Sequence, residues 1–349
     1  MNNNELINKL RNEIDLLDKE LVAILLKRIN LAKEIHKLKL VENHLIVDLE
    51  REIKILENLT NNIKNPDYQN IIKNIYLHIF QEVKKSSYDN IVDVINELNF
   101  ELSNNSIIIA GPCSVESEEQ IEQIAQKVQQ LGLKFIRGGI FKARTHPKSF
   151  QGLREKGLEL FYTTAHKYNL YTVSEFLDIE QAKSYFEFFD VIVVGSRNMT
   201  NFEFLKKLGN LTSKNQKPII IKRGFGSTID EFISASNYIL NEGSPNVILC
   251  LRGIRTFENS TNFWRFTPDL ASLIEIKHKT NLPVIFDPSH SAGNRNFVSD
   301  LSLSAMKLGF NGLMIEIHPN PEMALSDAKQ TIDLETFELL INKLKKYNV

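Results

Sequence analysis

The sequence predicts an all-α, three-helix domain at the N-terminus, followed by an α/β barrel of the (β/α)₈, or TIM, type. Residues 1–88 contain no Gly and a single Pro, and their apolar residues recur at the spacing of amphipathic helices. From Ser106 onward, short apolar runs of strand length alternate with longer amphipathic segments. A chain of 349 residues has room for such a barrel and one smaller domain.

The helical region is predicted to contain helices over residues 4–40, 48–62 and 67–85, with Asp48 and Asp67 as N-caps. Three helices cannot bury the long apolar stripe of the first one. A homodimer through this domain would bury it, and a tetramer is the larger alternative. The segment after Lys85 is expected to be a linker with one short helix. The predicted boundaries are 1–88 for the helical domain, 89–105 for the linker and 106–349 for the barrel.

The barrel prediction depends on eight apolar runs, each followed by a helical pattern. They are SIIIAG, KFIRGG, LYTVSE, DVIVVGSR, PIIIKRG, NVILCLRG, PVIFDPSH and GLMIEIHP. Eight buried parallel strands in about 240 residues suit a closed barrel in number and length. An open doubly wound sheet is the alternative, although no Gly-x-Gly-x-x-Gly pattern follows the first strand, which disfavours dinucleotide binding.

Composition excludes several classes of protein. The net charge of −1 indicates neither nucleic acid nor an anionic membrane as a partner. Two cysteines rule out a disulfide scaffold and favour a reducing compartment. The polar N-terminus lacks the apolar core of a signal peptide, and no apolar stretch is long enough to span a bilayer. We therefore expect a soluble, cytoplasmic protein.

Reactive residues follow nearly every predicted strand, at the face where barrel enzymes carry their active sites. In chain order they are Cys113, Arg137, Glu175, Arg197, Lys222, Arg252, Asp287, His290, Glu316 and His318. Any one of them could be a solvated loop residue, but their placement at one end of all eight strands indicates a site. Together with Lys142 and Arg144, the cations exceed the needs of one phosphate, and they suit two anionic substrates.

Four residues form a candidate metal site, namely Cys113, His290, Glu316 and Asp327. A thiolate, an imidazole and two carboxylates suit a divalent transition ion with an open position, with Mn²⁺ expected and Fe²⁺, Co²⁺ or Zn²⁺ as alternatives. Each residue also has an ordinary explanation, since Cys113 could be a small buried hydrophobe and Asp327 could cap a turn. Only a metal site explains all four at one barrel mouth.

The motifs GPCSVES, RGGIFKART, SFQGL, TVSEFLD, VVGSRNM, KRG, LRGIRTFE, DPSHSAG and EIHPNPEMALSDAKQ resemble the type I 3-deoxy-D-arabino-heptulosonate 7-phosphate (DAHP) synthases. The resemblance implies condensation of phosphoenolpyruvate with erythrose 4-phosphate, in the pathway to aromatic amino acids. It places the metal on the four residues above. It assigns Arg197, Lys222 and Arg252 to phosphoenolpyruvate, with Arg137, Lys142 and Glu175 nearby; it assigns Arg144, Thr145 and Asp287 to the sugar phosphate. The expected catalytic residues are Lys142, Glu175, Lys222 and His290.

Two alternatives remain open at this point. The sister synthases of 3-deoxy-D-manno-octulosonate 8-phosphate share the barrel, but the KART motif resembles the DAHP enzymes instead. The second alternative is a metabolite-binding sensor without turnover. The segment around Trp264 and Arg265 departs from the family pattern, and the sequence offers no explanation for it.

The N-terminal region resembles the all-helical chorismate mutases, chiefly in the motif LRNEIDLLDKELVAILLKR. The resemblance implies a chorismate pocket formed by Arg11, Arg28, Lys39, Asp48, Arg51 and Glu52. The third helix departs from the family, because Val83 and Ser87 stand at the positions of a Ser and a Gln. That Gln donates a hydrogen bond to the ether oxygen of chorismate. We therefore expect a domain that binds chorismate or prephenate and regulates the barrel, with little mutase turnover.

Overall fold

The structure is a computed structural model that describes residues 3–41, 49–97, 106–142, 148–215, 217–257 and 265–347. Two compact units are present, Met1–Asn90 and Ile91–Val349. None of the helices in the described ranges is long and apolar enough to cross a membrane.

The first unit contains α1 (Asn3–Val41), α2 (Leu49–Thr60) and most of α3 (Pro66–Glu97), which extends past the boundary at Asn90. Two details of the prediction are wrong. Helix α3 continues to Glu97 instead of ending at Lys85, because no Gly or Pro interrupts it and apolar residues keep the helical spacing. It begins at Pro66, and the Asn65 side chain caps it by accepting a hydrogen bond from the Asp67 amide at 2.9 Å. The predicted cap Asp48 lies outside the described residues.

The second unit is the predicted closed barrel of eight parallel strands in sequential order. Its strands are β1 (Ile107–Gly111), β2 (Phe135–Arg137), β3 (Tyr171–Glu175), β4 (Val191–Val194), β5 (Ile219–Lys222), β6 (Val247–Leu251), β7 (Val284–Phe286) and β8 (Gly312–Glu316). Pairing of β1 with β8, from Ile107 opposite Gly312 to Gly111 opposite Glu316, closes the barrel.

Nine helices accompany the described strands of this unit. They are α4 (Glu118–Gln130), α5 (Glu155–Lys167), α6 (Ile179–Tyr185), α7 (Phe202–Ser213), α8 (Ile229–Leu240), α9 (Ser272–Lys279), α10 (Pro288–Ala292), α11 (Val298–Leu308) and α12 (Leu334–Lys346). Side-chain caps fix several of their starts, as in the capping box of Thr228 and Glu231 at α8.

Apolar side chains fill the interior of the barrel, so the strands form a packed core and not a pore. The core comprises Ile107, Ile109, Phe135, Val173, Val191, Val193, Ile220, Ile248, Cys250, Ile285 and Met314. These branched residues favour strands, and their burial stabilises the sheet from within. The polar residues at the strand ends therefore stand on a rigid floor, which can hold them in fixed positions.

Candidate active site at the barrel mouth

The predicted site residues converge at the carboxyl ends of the strands. Arg137, Glu175, Lys222 and Glu316 are the last residues of β2, β3, β5 and β8, and Arg252 and Asp287 directly follow β6 and β7. A cavity of about 270 Å³ opens here. Its lining includes Arg137, Lys142, Glu175, Arg197, Lys222, Arg252, His290 and Asp327 from the predicted set.

Four side chains with potential metal-donor atoms face one another at this mouth. The donor atoms of Cys113, Glu316 and Asp327 all lie within 4.8 Å of one another. His290 Nε2 lies 3.4 Å from Glu316 Oε1 and 3.7 Å from Asp327 Oδ2. Asp327 adopts a left-handed backbone conformation with φ of 48°, which is uncommon outside glycine and directs its carboxylate from a tight turn. The arrangement brings together the four residues that the sequence predicts as ligands.

The hydrogen bonds of His290 leave one ring nitrogen available for a metal. His290 Nδ1 lies 2.7 Å from Asp287 Oδ2, and Asp287 Oδ1 accepts from the His290 amide at 3.0 Å. Burial lowers the pKa of His290, which favours the neutral imidazole. A neutral ring that donates from Nδ1 to Asp287 presents the lone pair of Nε2 towards Glu316 and Asp327, which is the tautomer that metal ligation needs.

Asp287 is fully buried and serves two partners at once. Its Oδ2 also accepts from Lys222 Nζ at 2.8 Å. Burial alone would raise the pKa of Asp287, but its interactions with His290 and Lys222, including a hydrogen bond from each, hold this pKa well below its usual range. The described contacts of Asp287 therefore orient both the imidazole of His290 and the ammonium of Lys222.

Two cations neutralise part of the negative charge of the donor cluster. Arg137 Nη1 donates to Glu316 Oε1 at 2.9 Å, and both side chains are buried. Lys142 Nζ donates to the carbonyl oxygen of Cys113 at 2.8 Å and lies 3.2 Å from its Sγ. Burial, together with nearby Glu316, raises the pKa of Cys113 to about 12. A thiol with this pKa keeps its proton near pH 7 until a cation replaces it.

Two residues support the donor cluster without having been predicted to do so. Gln330 Nε2 donates to Glu316 Oε2 at 2.5 Å and lies 3.3 Å from Asp327 Oδ2. Its Oε1 accepts from Arg265 Nη1 at 2.8 Å, and Arg265 also lies 3.3 Å from Asp327 Oδ2. Arg265 belongs to the segment that departs from the family pattern. No spacing of residues in the sequence predicts these contacts, because they depend on the conformations of the loops after β6 and β8.

The carboxylate of Glu175 lines the cavity and lies against Gly195, which follows β4. A Cβ atom added to Gly195 would collide with this carboxylate, so a larger residue there would require the Glu175 side chain to shift.

Several predicted residues lie outside the described part of the chain. In the barrel these are Arg144 and Thr145, and Trp264 also falls there. In the helical domain they are Asp48 and the side chains of Lys39, Glu52 and Ser87. Arg11 and Arg51 are exposed, whereas half-buried Arg28 lies over the rings of Tyr76 and Phe80, with centroid distances of 5.4 and 5.2 Å. Val83 is buried, at 5% exposure.

Comparison with known proteins identifies both units. Residues 100–349 match the model of the DAHP synthetase I family, and residues 10–88 match that of chorismate mutase type II. A phospho-2-dehydro-3-deoxyheptonate aldolase of Thermotoga maritima is 46% identical over 239 residues, which cover 68% of this chain and 69% of the relative. A 2-dehydro-3-deoxyphosphooctonate aldolase of Desulfotalea psychrophila is 30% identical over 258 residues, which cover 69% and 89%.

Solved structures give the same result. The crystal structure of the DAHP synthase from Thermotoga maritima matches with a TM-score of 0.65 at 45% identity and covers 69% of each chain. A truncated form of that synthase matches with a TM-score of 0.62 at 41% identity and covers 69% of this chain and 86% of the other.

Fold and site together define a barrel enzyme that joins a metal-donor cluster to an anion-binding cavity. The chain belongs to the DAHP synthetase I family and carries a chorismate mutase type II domain at its N-terminus. The resemblance seen in the sequence is thereby confirmed. The family is generally metal-dependent, and the described residues Cys113, Glu316 and Asp327 provide a possible metal site.

Proposed function

We propose that the barrel condenses phosphoenolpyruvate with erythrose 4-phosphate. A carbon–carbon bond forms between C3 of phosphoenolpyruvate and the aldehyde carbon of the sugar, water adds to C2, and inorganic phosphate is released. The observation that carries this proposal is the convergence of four donors and several cations at one mouth. A phosphate and a carboxylate on one substrate and a second phosphate on the other account for the surplus of positive charge.

The donor set fits a divalent transition ion, and we assign Cys113, His290, Glu316 and Asp327 to it, with Mn²⁺ as the expected metal. The pairing of a thiol with an imidazole favours a transition ion over Mg²⁺ or Ca²⁺. The fixed Nε2 lone pair of His290 supports the same assignment. When bound, the ion supplies a Lewis acid that polarises the aldehyde oxygen.

The other residues bind and orient the substrates. Arg197, Lys222 and Arg252 line the cavity and are assigned to phosphoenolpyruvate, with Arg137 and Lys142 between them and the donor cluster. Asp287 holds Lys222 in place and leaves its remaining protons for a substrate oxygen. Glu175, at the wall beside Gly195, is placed to accept a proton from the water that adds to C2. Arg144 and Thr145 remain assigned to the sugar phosphate on the resemblance alone.

Phosphate release tests this proposal and separates it from its alternatives. With phosphoenolpyruvate present, erythrose 4-phosphate should support release and arabinose 5-phosphate should not. Preference for arabinose 5-phosphate would identify an octulosonate synthase. Absence of release with either sugar, in protein loaded with Mn²⁺, would favour a sensor without turnover.

For the helical domain we propose binding of chorismate or prephenate and regulation of the barrel. The domain retains the cations Arg11, Arg28 and Arg51, and an anion in a helical pocket needs such partners. Buried Val83 is apolar where the family has Ser, which supports low mutase turnover. DAHP synthesis by the full chain should fall when chorismate or prephenate is added at up to millimolar concentration. Unchanged rates with both ligands would contradict regulation.

We further propose that the helical domain forms a homodimer. Apolar residues along α1 are exposed in the single chain, among them Leu10, Ile14, Leu17 and Ile24 at 50–65%. A stripe of this length is normally buried against another helix, and a second copy supplies an equivalent apolar face. Sedimentation of the full chain should give at least twice the mass of 40.1 kDa. A monomer at micromolar concentration would contradict the proposal.

A further inference from the structure

We infer that the stacked rings of Phe225 and Phe266 are positioning residues for the phosphoenolpyruvate site: their faces hold the guanidinium of Arg252 and leave its N–H donors free for the substrate. The inference deepens the proposed function and rests on the assignment of Arg252 to phosphoenolpyruvate.

The two rings form a platform against one buried arginine. Phe225 and Phe266 stack with their centroids 5.3 Å apart and their planes 11° from parallel. The Cζ atom of Arg252 lies 4.2 Å from the centroid of Phe266 and 5.0 Å from that of Phe225. A guanidinium within about 6 Å of an aromatic face is attracted by the negative potential of the ring.

Arg252 differs from the other buried cations of the mouth in having no carboxylate partner among the described residues. Lys222 pairs with Asp287, and Arg137 pairs with Glu316. Arg252 is only 3% exposed, yet its Nε and Nη1 find no hydrogen-bond partner in the part of the chain that the structure describes. Burial lowers the pKa of Arg252 to about 10, so the guanidinium still carries its charge near pH 7.

An aromatic partner leaves the hydrogen-bond donors of a guanidinium available, whereas a carboxylate partner occupies some of them. A carboxylate neutralises much of the charge of a guanidinium and accepts from some of its N–H groups, which leaves a weaker site for a substrate anion. A ring face contacts the flat surface of the guanidinium, whereas the N–H donors lie in its plane and stay available. The platform can therefore stabilise a buried positive charge and keep it able to bind phosphate or carboxylate.

The ring of Phe225 also lies close to two other arginines. The Cζ atoms of Arg197 and Arg255 lie 5.4 and 5.1 Å from its centroid. The backbone fixes this grouping, because the Arg255 amide donates to the Phe225 carbonyl at 2.7 Å. Phe266 is fixed in the same way by its amide, which donates to the Ser291 carbonyl at 3.1 Å. The loops after β5, β6 and β7 are thus joined around one aromatic pair.

The test compares Phe225→Leu, Phe225→Met and Phe225→Tyr in the full-length, Mn²⁺-loaded enzyme. Loss of one cation–ring contact should raise the KM for phosphoenolpyruvate about 3- to 30-fold in the Leu and Met variants. The turnover number and the KM for erythrose 4-phosphate should stay within about twofold. Phe225→Tyr keeps the ring face and should restore the wild-type KM. Phe225 is half-buried, so these changes leave the packed floor of the barrel intact.

Two further variants make the result specific. Phe202→Leu removes a ring that stacks on Tyr238 at 4.5 Å and lies outside the described cavity lining; it should leave the KM for phosphoenolpyruvate unchanged. Arg252→Ala tests the proposed function itself. An increased KM for phosphoenolpyruvate in Arg252→Ala, with no change in the Leu and Met variants, would overturn the positioning role alone. No change in Arg252→Ala would instead remove the phosphoenolpyruvate assignment. If the Leu, Met and Tyr variants of Phe225 all showed a lower turnover number and higher KM values for both substrates, the role of Phe225 would be unspecific and structural, and the inference would be overturned.

Discussion

Replacing Arg252 or Lys222 by Met should impair phosphoenolpyruvate binding to a similar extent, but only the Lys222 substitution should markedly lower stability. Both side chains are buried cations of the same mouth, at 3% and 6% exposure. They differ in their partners, because Lys222 donates to Asp287 at 2.8 Å whereas Nε and Nη1 of Arg252 have no described hydrogen-bond partner. Each change removes a charged hydrogen-bond donor to the substrate, which costs roughly 2–4 kcal/mol in catalytic efficiency. The same expectation applies to Arg197→Ala at the cavity rim.

The stability of the Arg252 variant follows from the pKa of the guanidinium. Burial lowers this pKa from its ordinary value to about 10, a difference that corresponds to about 3 kcal/mol of cost to the folded state. Because the unfolded chain binds this proton more tightly, the cost is fully present below pH 10 and disappears only as the pH rises to the ordinary pKa of arginine. Met removes the cost and loses roughly 2 kcal/mol of cation–ring attraction. The two contributions nearly offset each other, so Arg252→Met should change the free energy of unfolding by no more than about 1 kcal/mol.

Lys222→Met leaves the Asp287 carboxylate fully buried without its ammonium partner. Breaking a buried ion pair from one side costs about 3–5 kcal/mol, and the remaining contact with His290 places the expected loss near the lower figure. Thermal unfolding at pH 7, with steady-state kinetics on the same preparations, measures both effects. Equal destabilisation by the two substitutions would refute the reasoning, since it would show that Arg252 has a stabilising partner. An unchanged KM for phosphoenolpyruvate in both would refute the anion site.

Three further predictions concern the metal cluster and the helical domain. Exhaustive chelation should abolish DAHP synthesis and Mn²⁺ should restore it; full activity without metal would contradict the assignment. Cys113→Ser should bind the ion more weakly, because a hydroxyl is a poor ligand for a transition ion. Gln330→Leu removes the amide that bridges Glu316 and Asp327, and competition with a chelator should show roughly 10- to 100-fold weaker metal binding; an unchanged affinity would leave Gln330 a purely packing residue. Ser87→Gln should raise the mutase rate of the full chain by roughly 10²-fold or more if the ether-oxygen donor is what this domain lacks, and a wild-type rate already typical of the family would show that another group donates.

The barrel and its donor cluster could be predicted because their signals are local and repeated. Each strand is a short apolar run, and parallel strands bring their carboxyl ends to one face, so Cys113 and Glu316 must approach each other although they are far apart in sequence. The end of α3 was predicted less well. The boundary at Lys85 had no Gly or Pro to support it, and the helix continues to Glu97.

The supporting residues could not be predicted, because their roles depend on loop conformation. Nothing in the run ALSDAKQ indicates that Gln330 turns back to Glu316, since this requires the left-handed backbone at Asp327. Phe225 and Phe266 are 41 residues apart, in loops that follow different strands, and a Phe in a loop has no pattern that distinguishes a platform from ordinary packing.

The cations at the barrel mouth have two kinds of partner, carboxylates and aromatic rings. A cavity that binds a metal needs carboxylates, and one that binds phosphates needs cations, but free mixing of the two sets would neutralise both. Beside the donor cluster, Arg137 pairs with Glu316, which limits the negative charge there. Lys222, which we assign to phosphoenolpyruvate, pairs with Asp287 and keeps its other N–H donors for the substrate. On the substrate side, aromatic faces take the place of carboxylates beside Arg252, so the positive charge there is not cancelled. The separation lets two opposite sets of charges share one small cavity, and we expect the aromatic pair to keep the buried charge of Arg252 available to an anion.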